Sequence, residues 1–290
     1  MLQGTLIYGF INSVVLALVA LGFNLTFGIS GVANFAHGAL YILAGFTAWM
    51  VLNTLKLPFF LAAVLAVIFT AIAGALIYRF ILLRVRGLPV SEVIASFGIG
   101  LAILEFFRFA GFVGFQYTLP MFINDSVSIG GTYVDIQRLI IVAVGIVLAI
   151  LLYFFTHHTK TGLAFRGIAQ DERTALVLGI NSDRMATFSV AFGAGFAAIA
   201  AIVILPLGTI AVEGGYAVLL NALAVCIVGG LGSTIGVVAA SFIIGFSQTL
   251  TATYLGSHWL MIVSLVAILV VLVIKPSGLF GSQKELEERI

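Results

Sequence analysis

The residues able to do chemistry in this chain are few, and most stand alone among apolar neighbours. Asn34 and His37 lie three apart between two apolar runs, so on a helix they would share a face. Such a pair could contact a passing polar solute. It could equally satisfy the backbone of a broken helix, which has no water to bond inside a bilayer. One histidine among Asn, Phe and Gly brings no second or third ligand, so a metal site is not expected. Glu105 and Arg108 are also three apart. Each charge would cost about 2.5–3.5 kcal/mol at mid-bilayer, and mutual pairing explains why both are tolerated. Asn221 is a polar group deep in an apolar run, and Gly229, Gly230, Gly232 and Ser233, followed by Gly236, leave helix positions without side chains. Exposed backbone dipoles of that kind let a transporter hold a zwitterion without burying a full charge; close helix packing is the other use of such a run. Glu213, beside Gly214 and Gly215, is either a loop charge or a contact for a soluble solute carrier.

Enzyme signatures fail one by one. The chain has no His-Glu-x-x-His, no Gly-x-Ser-x-Gly and no pair of membrane-depth aspartates placed for proteolysis. None of its four lysines follows a glycine, so the phosphate-binding Gly-x-x-x-x-Gly-Lys-Ser/Thr loop is missing. Work driven by ATP would therefore need a separate partner to bind ATP and magnesium. The single cysteine, Cys226, sits in an apolar stretch; it reads as a small buried hydrophobe, with no internal disulfide and no cysteine-based metal cluster.

The elements that must position these groups follow from composition. Of 290 residues, 62% are apolar and only 8% charged, against roughly 25% charged in a soluble domain. Mean hydropathy is +1.25, and a chain of this kind could not cover its apolar surface in water. A formal charge of +2 is too small a bias for nucleic-acid binding. Continuous apolar runs near Leu6–Phe27, Gly38–Leu55, Pro58–Phe80, Val93–Phe109, Arg138–Phe155, Thr187–Leu207, Ala217–Leu231, Thr234–Thr251 and His258–Ile274 predict an all-α, polytopic transmembrane bundle. About eight or nine spans form one domain over residues 1–290, with Ser30–Gly38 the place for a broken or re-entrant helix. Met1–Tyr8 has no basic region, so the first helix reads as retained rather than as a cleaved signal. Small residues at helical spacing, Gly193, Ala197 and Ala201 in one run and Ala71, Gly74 and Ala75 in another, suit close helix contact in lipid.

Charge placement sets orientation. Seventeen of the 24 charged residues fall within 79–92, 157–186 and 275–290. Arg79, Arg84 and Arg86 mark one cytoplasmic loop, Lys160, Arg166, Arg173 and Arg184 a second, and Lys275, Lys284 and Arg289 the tail. Three spans before Arg79 put the N-terminus outside. The loop at 157–186 is the largest. Gln170 to Leu178 lacks Gly and Pro, Asp171 and Glu172 stand near its start, and Gly179 follows as a stop, which predicts one short helix. Ile168, Ala175, Leu176 and Leu178 give it an apolar side. So short a helix must lean on something. Asp171 and Glu172 beside Arg173 favour a protein over the bilayer surface, which would call for several basic residues.

The residues of this loop, Thr159, Gly162, Ala164, Arg166, Asp171, Ala175, Leu178, Gly179, Ile180 and Asn181, resemble the inner loop of branched-chain amino acid ABC transporter permeases. Asn34-Phe35-Ala36-His37-Gly38 and Gly229-Gly230-Leu231-Gly232-Ser233 are similar to two further segments of that family, and the likeness runs from about residue 6 to 280, nearest to the shorter H-type subunit. Two departures stand out: Ile235 where the family usually has Pro, and Leu219-Leu220-Asn221-Ala222 where it usually has Ala-Phe. The resemblance implies a non-enzymatic subunit of an importer in the bacterial cytoplasmic (inner) membrane, carrying leucine, isoleucine or valine by alternating access. It implies a second permease (an M-type paralogue or a copy of this chain), two cytoplasmic ATPases and an external solute-binding protein. Gly162, Arg166, Asp171, Glu172, Ala175 and Gly179 would then couple to the ATPase. Asn34, His37, Asn221, Gly229, Gly230, Gly232 and Ser233 would border the solute pathway. The alternatives are an ion-coupled secondary transporter, for which Glu105 is the one plausible titratable site, and a passive channel for a small polar solute such as urea.

Overall fold

The computed structural model describes residues 2–31, 33–114 and 117–281. Its helices are α1 (Leu2–Ser30), α2 (His37–Asn53), α3 (Phe59–Ile77), α4 (Leu83–Val85), α5 (Pro89–Phe109), α6 (Ile136–His158), α7 (Lys160–Gln170), α8 (Glu172–Val177), α9 (Ser182–Ile204), α10 (Gly214–Gly229), α11 (Thr234–Tyr254) and α12 (Leu260–Ile274). α3 and α4 make one rod through a π-helical turn at Tyr78–Leu82. Among the described residues, seven segments are helices long and apolar enough to cross a membrane. α2 and α10, with 17 and 16 residues, reach about 24–26 Å at 1.5 Å per residue, slightly short of a ~30 Å hydrocarbon core. Together these nine coincide with the nine apolar runs. The fold is an all-α polytopic bundle and the chain is a multi-pass membrane protein.

Irregular backbone within the bundle depth is tolerated where protein surrounds it, and the segment before α2 is held in that way. The break expected at Ser30–Gly38 is present: α1 ends at Ser30 and α2 begins at His37, whose ring lies beside the Val19 carbonyl of α1 (3.0 Å). The Asn34 side-chain oxygen accepts the Ala36 N–H (3.1 Å), and Ser96 Oγ on α5 accepts the Phe35 N–H (3.1 Å). The α3 rod also outruns its expected end at Phe80, because Arg79 and Arg84 lie on helix rather than in a loop. Long basic side chains can leave the helix end for the interface while their stems stay apolar. Outside the helices, β1 (Ser126–Ile129) and β2 (Thr132–Asp135) form a small antiparallel hairpin that the sequence reading did not anticipate.

α1 and α9 are the most enclosed elements, two-thirds of each best window being buried (67%). They cross antiparallel, with Gly22 against Gly193 and Thr26 Oγ1 donating to the Ser189 carbonyl (3.4 Å). A Cβ on Gly193 would collide with Thr26 Oγ1 and the Gly22 carbonyl. The pattern around this crossing repeats. α1 packs on α10 and α11, α9 packs on α2 and α3, and α2 meets α10 where Gly38 faces Gly215. Helices α1–α3 and α9–α11 thus form two interleaved halves. Gly193, Ala197 and Ala201 are buried as their spacing suggested, and Gly74 meets Ala194. By contrast α12 turns nearly all its apolar surface outward, with 6% of its window buried.

Candidate functional site: the inner loop and the polar groups of the bundle

The loop after α6 is built from its caps. Thr159 Oγ1 accepts the Gly162 N–H (2.9 Å) and starts α7. Gly162 lies against the backbone of Phe155 and Thr156, leaving no room for a Cβ, and so permits the tight corner between α6 and α7. Phe165 and Ile168 are buried, while Arg166 is exposed. The helix expected over Gln170–Leu178 is α8, Glu172–Val177, and a separate helix not expected there, α7, precedes it, the two parted at Asp171. That residue's backbone is extended, and its carboxylate accepts the N–H groups of Arg173 (2.9 Å) and Thr174 (3.2 Å) as the N-cap of α8. The Thr174 hydroxyl and N–H, followed by the Arg173 N–H and charge, hold the Asp171 carboxyl below its ordinary range. A strong cap can end one helix and begin another without Gly or Pro, which is why the composition of this stretch concealed the break.

Gly179 closes α8 as expected. Its φ is +82°, and the Ile180 N–H reaches back to the Ala175 carbonyl (3.0 Å), the Schellman arrangement. Ala175 itself faces inward at 3% exposure, so the apolar side is divided. Leu176, Val177 and Leu178 project outward at 52%, 87% and 74%. Glu172 is not a free surface charge. Arg86, from the corner before α5, donates to Glu172 (2.6 Å), Asp183 (2.6 Å) and Ser182 Oγ (2.8 Å). Asn181 caps α9 through the Arg184 N–H (2.9 Å). The sequence reading missed the role of Arg86, although its assignment of 79–92 and 157–186 to one side was the signal that could have found it.

Inside the bundle Asn34, His37 and Asn221 each find hydrogen-bond partners within the chain. Asn34 precedes α2 rather than sharing a helical face with His37, and both are buried. The His37 ring bonds the Val19 carbonyl (3.0 Å) and packs edge-on against Phe23. Asn221 belongs to a network joining four helices. Asn12 Nδ2 donates to Gln248 Oε1 (3.1 Å), Gln248 Nε2 donates to Asn221 Oδ1 (3.1 Å) and Ser264 Oγ (2.8 Å), and Ser264 Oγ donates to Asn221 Oδ1 (2.9 Å). Asn12, Gln248 and Ser264 were not singled out in the sequence; each is a polar residue in an apolar run, which was the available sign.

The glycine run ends α10, and its dipoles are used within the chain. The Val228 and Gly229 carbonyls accept the N–H groups of Leu279 (2.9 Å) and Phe280 (3.0 Å). Gly230 takes φ +99° against Phe280 and Gly281, Asn24 Oδ1 accepts the Gly232 N–H (2.9 Å), and Ser233 Oγ caps α11 (3.1 Å). Of the residues expected at the two sites, Gly232 and Arg166 come together in one cavity of about 200 Å³ at the α7 end of the bundle, with Asn24, Thr156, His157 and Thr234. Asn34, His37 and Asn221 are not among its lining.

At the opposite end, Arg108 pairs with Glu105 on its own helix, as the spacing suggested, and also with Glu213 (2.9 Å). The Glu213 carboxyl lies below its ordinary range, held there by its own backbone N–H and then by Arg108. No group of three or more His, Cys, Asp or Glu side chains is placed to hold a metal among the described residues.

Residues 5–272 match the profile described as "Branched-chain amino acid transport system / permease component". Three curated relatives resemble the chain over most of its length. The high-affinity branched-chain amino acid transport system permease proteins LivH of Escherichia coli and of Salmonella typhimurium are each 26% identical, over 91% of this chain and 91% of theirs. The probable branched-chain amino acid transport permease protein LivH of Methanocaldococcus jannaschii is 27% identical over 97% of this chain and 91% of its own. Among solved structures, a chain of PsaBC from Streptococcus pneumoniae in complex with Fab shares the fold, with a TM-score of 0.52 and 14% identity, over 99% of this chain and 95% of that one.

Proposed function

Because this chain belongs to the branched-chain amino acid transport system permease family, we propose that it is the membrane subunit of an ABC importer of leucine, isoleucine or valine. It works beside a second permease, M-type or a copy of itself, in a bacterial cytoplasmic membrane. Two cytoplasmic ATPases bind the ATP and magnesium and do the hydrolysis; an external binding protein delivers the solute. The observation that carries the reading is the inner loop. α7 and α8 are fixed by caps at Thr159, Asp171 and Gly179, and they hold three consecutive apolar side chains, Leu176–Leu178, out toward solvent. Exposed apolar groups on a braced, charged loop suit a groove on another protein.

The mechanism is alternating access. Nucleotide on the ATPases and loaded binding protein outside each favour one permease conformation, because each binds the two states unequally. Gly162, Arg166, Asp171, Glu172, Ala175 and Gly179 shape and hold the coupling loop. Asn221 presents polar atoms within the bundle, Gly232 borders the inner opening with Arg166, and Ser233 caps α11 beside it. Asn34, His37, Gly229 and Gly230 keep the adjoining backbone in place. The solute is chosen chiefly by the binding protein.

Reconstitution tests this directly. The permease pair with both ATPases and binding protein in vesicles should accumulate labelled leucine only with ATP. Uphill uptake driven by an ion gradient without the ATPases would overturn the proposal, as would flux insensitive to ATP.

A further inference from the structure

α8 is a helix of six residues, too short to hold itself, yet any load applied at its tip must pass through it. Its packing neighbours are α7 and α9. The ionic link from α8 to another part of the bundle is Arg86. One nitrogen of its guanidinium reaches Asp183 at the start of α9; the other reaches Glu172 at the start of α8 and Ser182 Oγ beside it. Ser182 in turn donates to Glu172. The Arg86 side chain is 18% exposed, while its two carboxylates are 46% and 51% exposed, so the cation lies beneath them. A planar fork held by two carboxylates and a hydroxyl fixes direction as well as distance, which a lysine point charge cannot do.

The other side of Arg86 is equally braced. It follows α4 in extended conformation, and the next residue, Gly87, takes φ +85°. The Gly87 N–H is held by Glu92 Oε1 (2.7 Å), in the first turn of α5. A chain of short polar contacts therefore runs from α8 through Glu172, Arg86, Gly87 and Glu92 into α5. Apolar packing of Tyr78 and Leu82 with Ala186 and Val190 already joins the α3 rod to α9. That contact lies at the π-helical turn, a feature that often marks functional positions in helices. Rigid elements joined by polar contacts are the means by which one site moves another.

We infer that Arg86 is a positioning residue that makes α8 and the α4–α5 corner one rigid body, so that movement of the coupling loop is delivered to α5 as well as to α9. This rests on the loop being the ATPase contact.

The test uses the complete transporter in vesicles, with spin labels on cysteines at the exposed positions Leu88 and Arg173. In the otherwise native chain, the distance between labels should be narrow and equal with and without nucleotide. In Arg86→Ala it should broaden or change with nucleotide. Leucine imported per ATP hydrolysed should fall about tenfold, while basal hydrolysis stays within about twofold; Arg86→Lys should lie between. Should Arg86→Ala not fold, the pair Glu172→Ala with Asp183→Ala removes both carboxylate partners of Arg86 and carries the same expectation for the label distance. A distance that stays narrow, or an unchanged import-to-hydrolysis ratio, overturns the inference; so does a parallel fall of import and hydrolysis, which would make Arg86 merely structural. If Val177→Asp leaves import intact, the loop is not the ATPase contact. The label distance still judges the rigid-body claim.

Discussion

Two arginines in this molecule each hold two carboxylates, at opposite ends of the bundle, and the settings differ. Arg86 lies beneath its partners at 18% exposure and ties the corner before α5 to α8 and α9. Arg108 is 41% exposed, pairs with Glu105 one turn away on its own helix, and reaches Glu213, which is 71% exposed. Water and salt screen the outer cluster, and such pairs contribute little on their own. The same charges at the inner end fix a geometry. Ion pairing around Arg108 therefore reads as a way to tolerate charge, and around Arg86 as a way to hold separate elements in register.

Substitutions at the two ends can break or sharpen this contrast. The largest effect is expected at the apolar tip. Val177→Asp places a charge where the account has a buried contact with the ATPase, and ATP-dependent leucine import should fall at least about thirtyfold, with unchanged amounts of permease in the membrane. Arg86→Ala should come next, as loss of coupling rather than loss of protein. Arg108→Ala should change import by no more than about twofold, less still in high salt; a loss as large as that of Arg86→Ala would erase the distinction between the ends.

The smallest expected effect concerns pH. The Asp171 carboxyl is held below its ordinary value by Thr174 and Arg173. Its cap is therefore complete above the ordinary carboxylate range and is lost only as pH falls through the depressed value. Import measured between pH 5 and 7 should be indifferent to Asp171, and Asp171→Asn, which can still cap, should behave alike. A drop of import across that window in the native chain that Asp171→Asn abolishes would contradict the cap.

How much of this was legible in the sequence depends on the distance over which the cause acts. The apolar helices were readable because apolar runs and lipid leave a helix no alternative. Gly179 was readable as a stop, and Glu105 with Arg108 as a pair, because both depend on neighbours within one turn. The break at Asp171 was not, since a side-chain cap interrupts a helix without altering composition. The network of Asn12, Gln248, Asn221 and Ser264 spans residues 236 positions apart and exists only because α1, α10, α11 and α12 pack together. Arg86 was hidden for the same reason: its partners lie 86 and 97 positions away. Ala175 shows the limit of periodicity alone. Its apolar character was plain, but whether it faces the bundle or a partner depended on where α8 is seated.

The central claim, that a separate ATPase grips the permease at the tip of α8, is tested most directly by cysteine cross-linking in the assembled transporter. The native Cys226 is fully buried and will not compete. Val177→Cys should cross-link to the ATPase subunit, whereas Ala175→Cys, one position from Leu176 but facing inward, should not. Efficient cross-linking from Ala175 with none from Val177, or none from any of positions 176 to 178, would contradict the account.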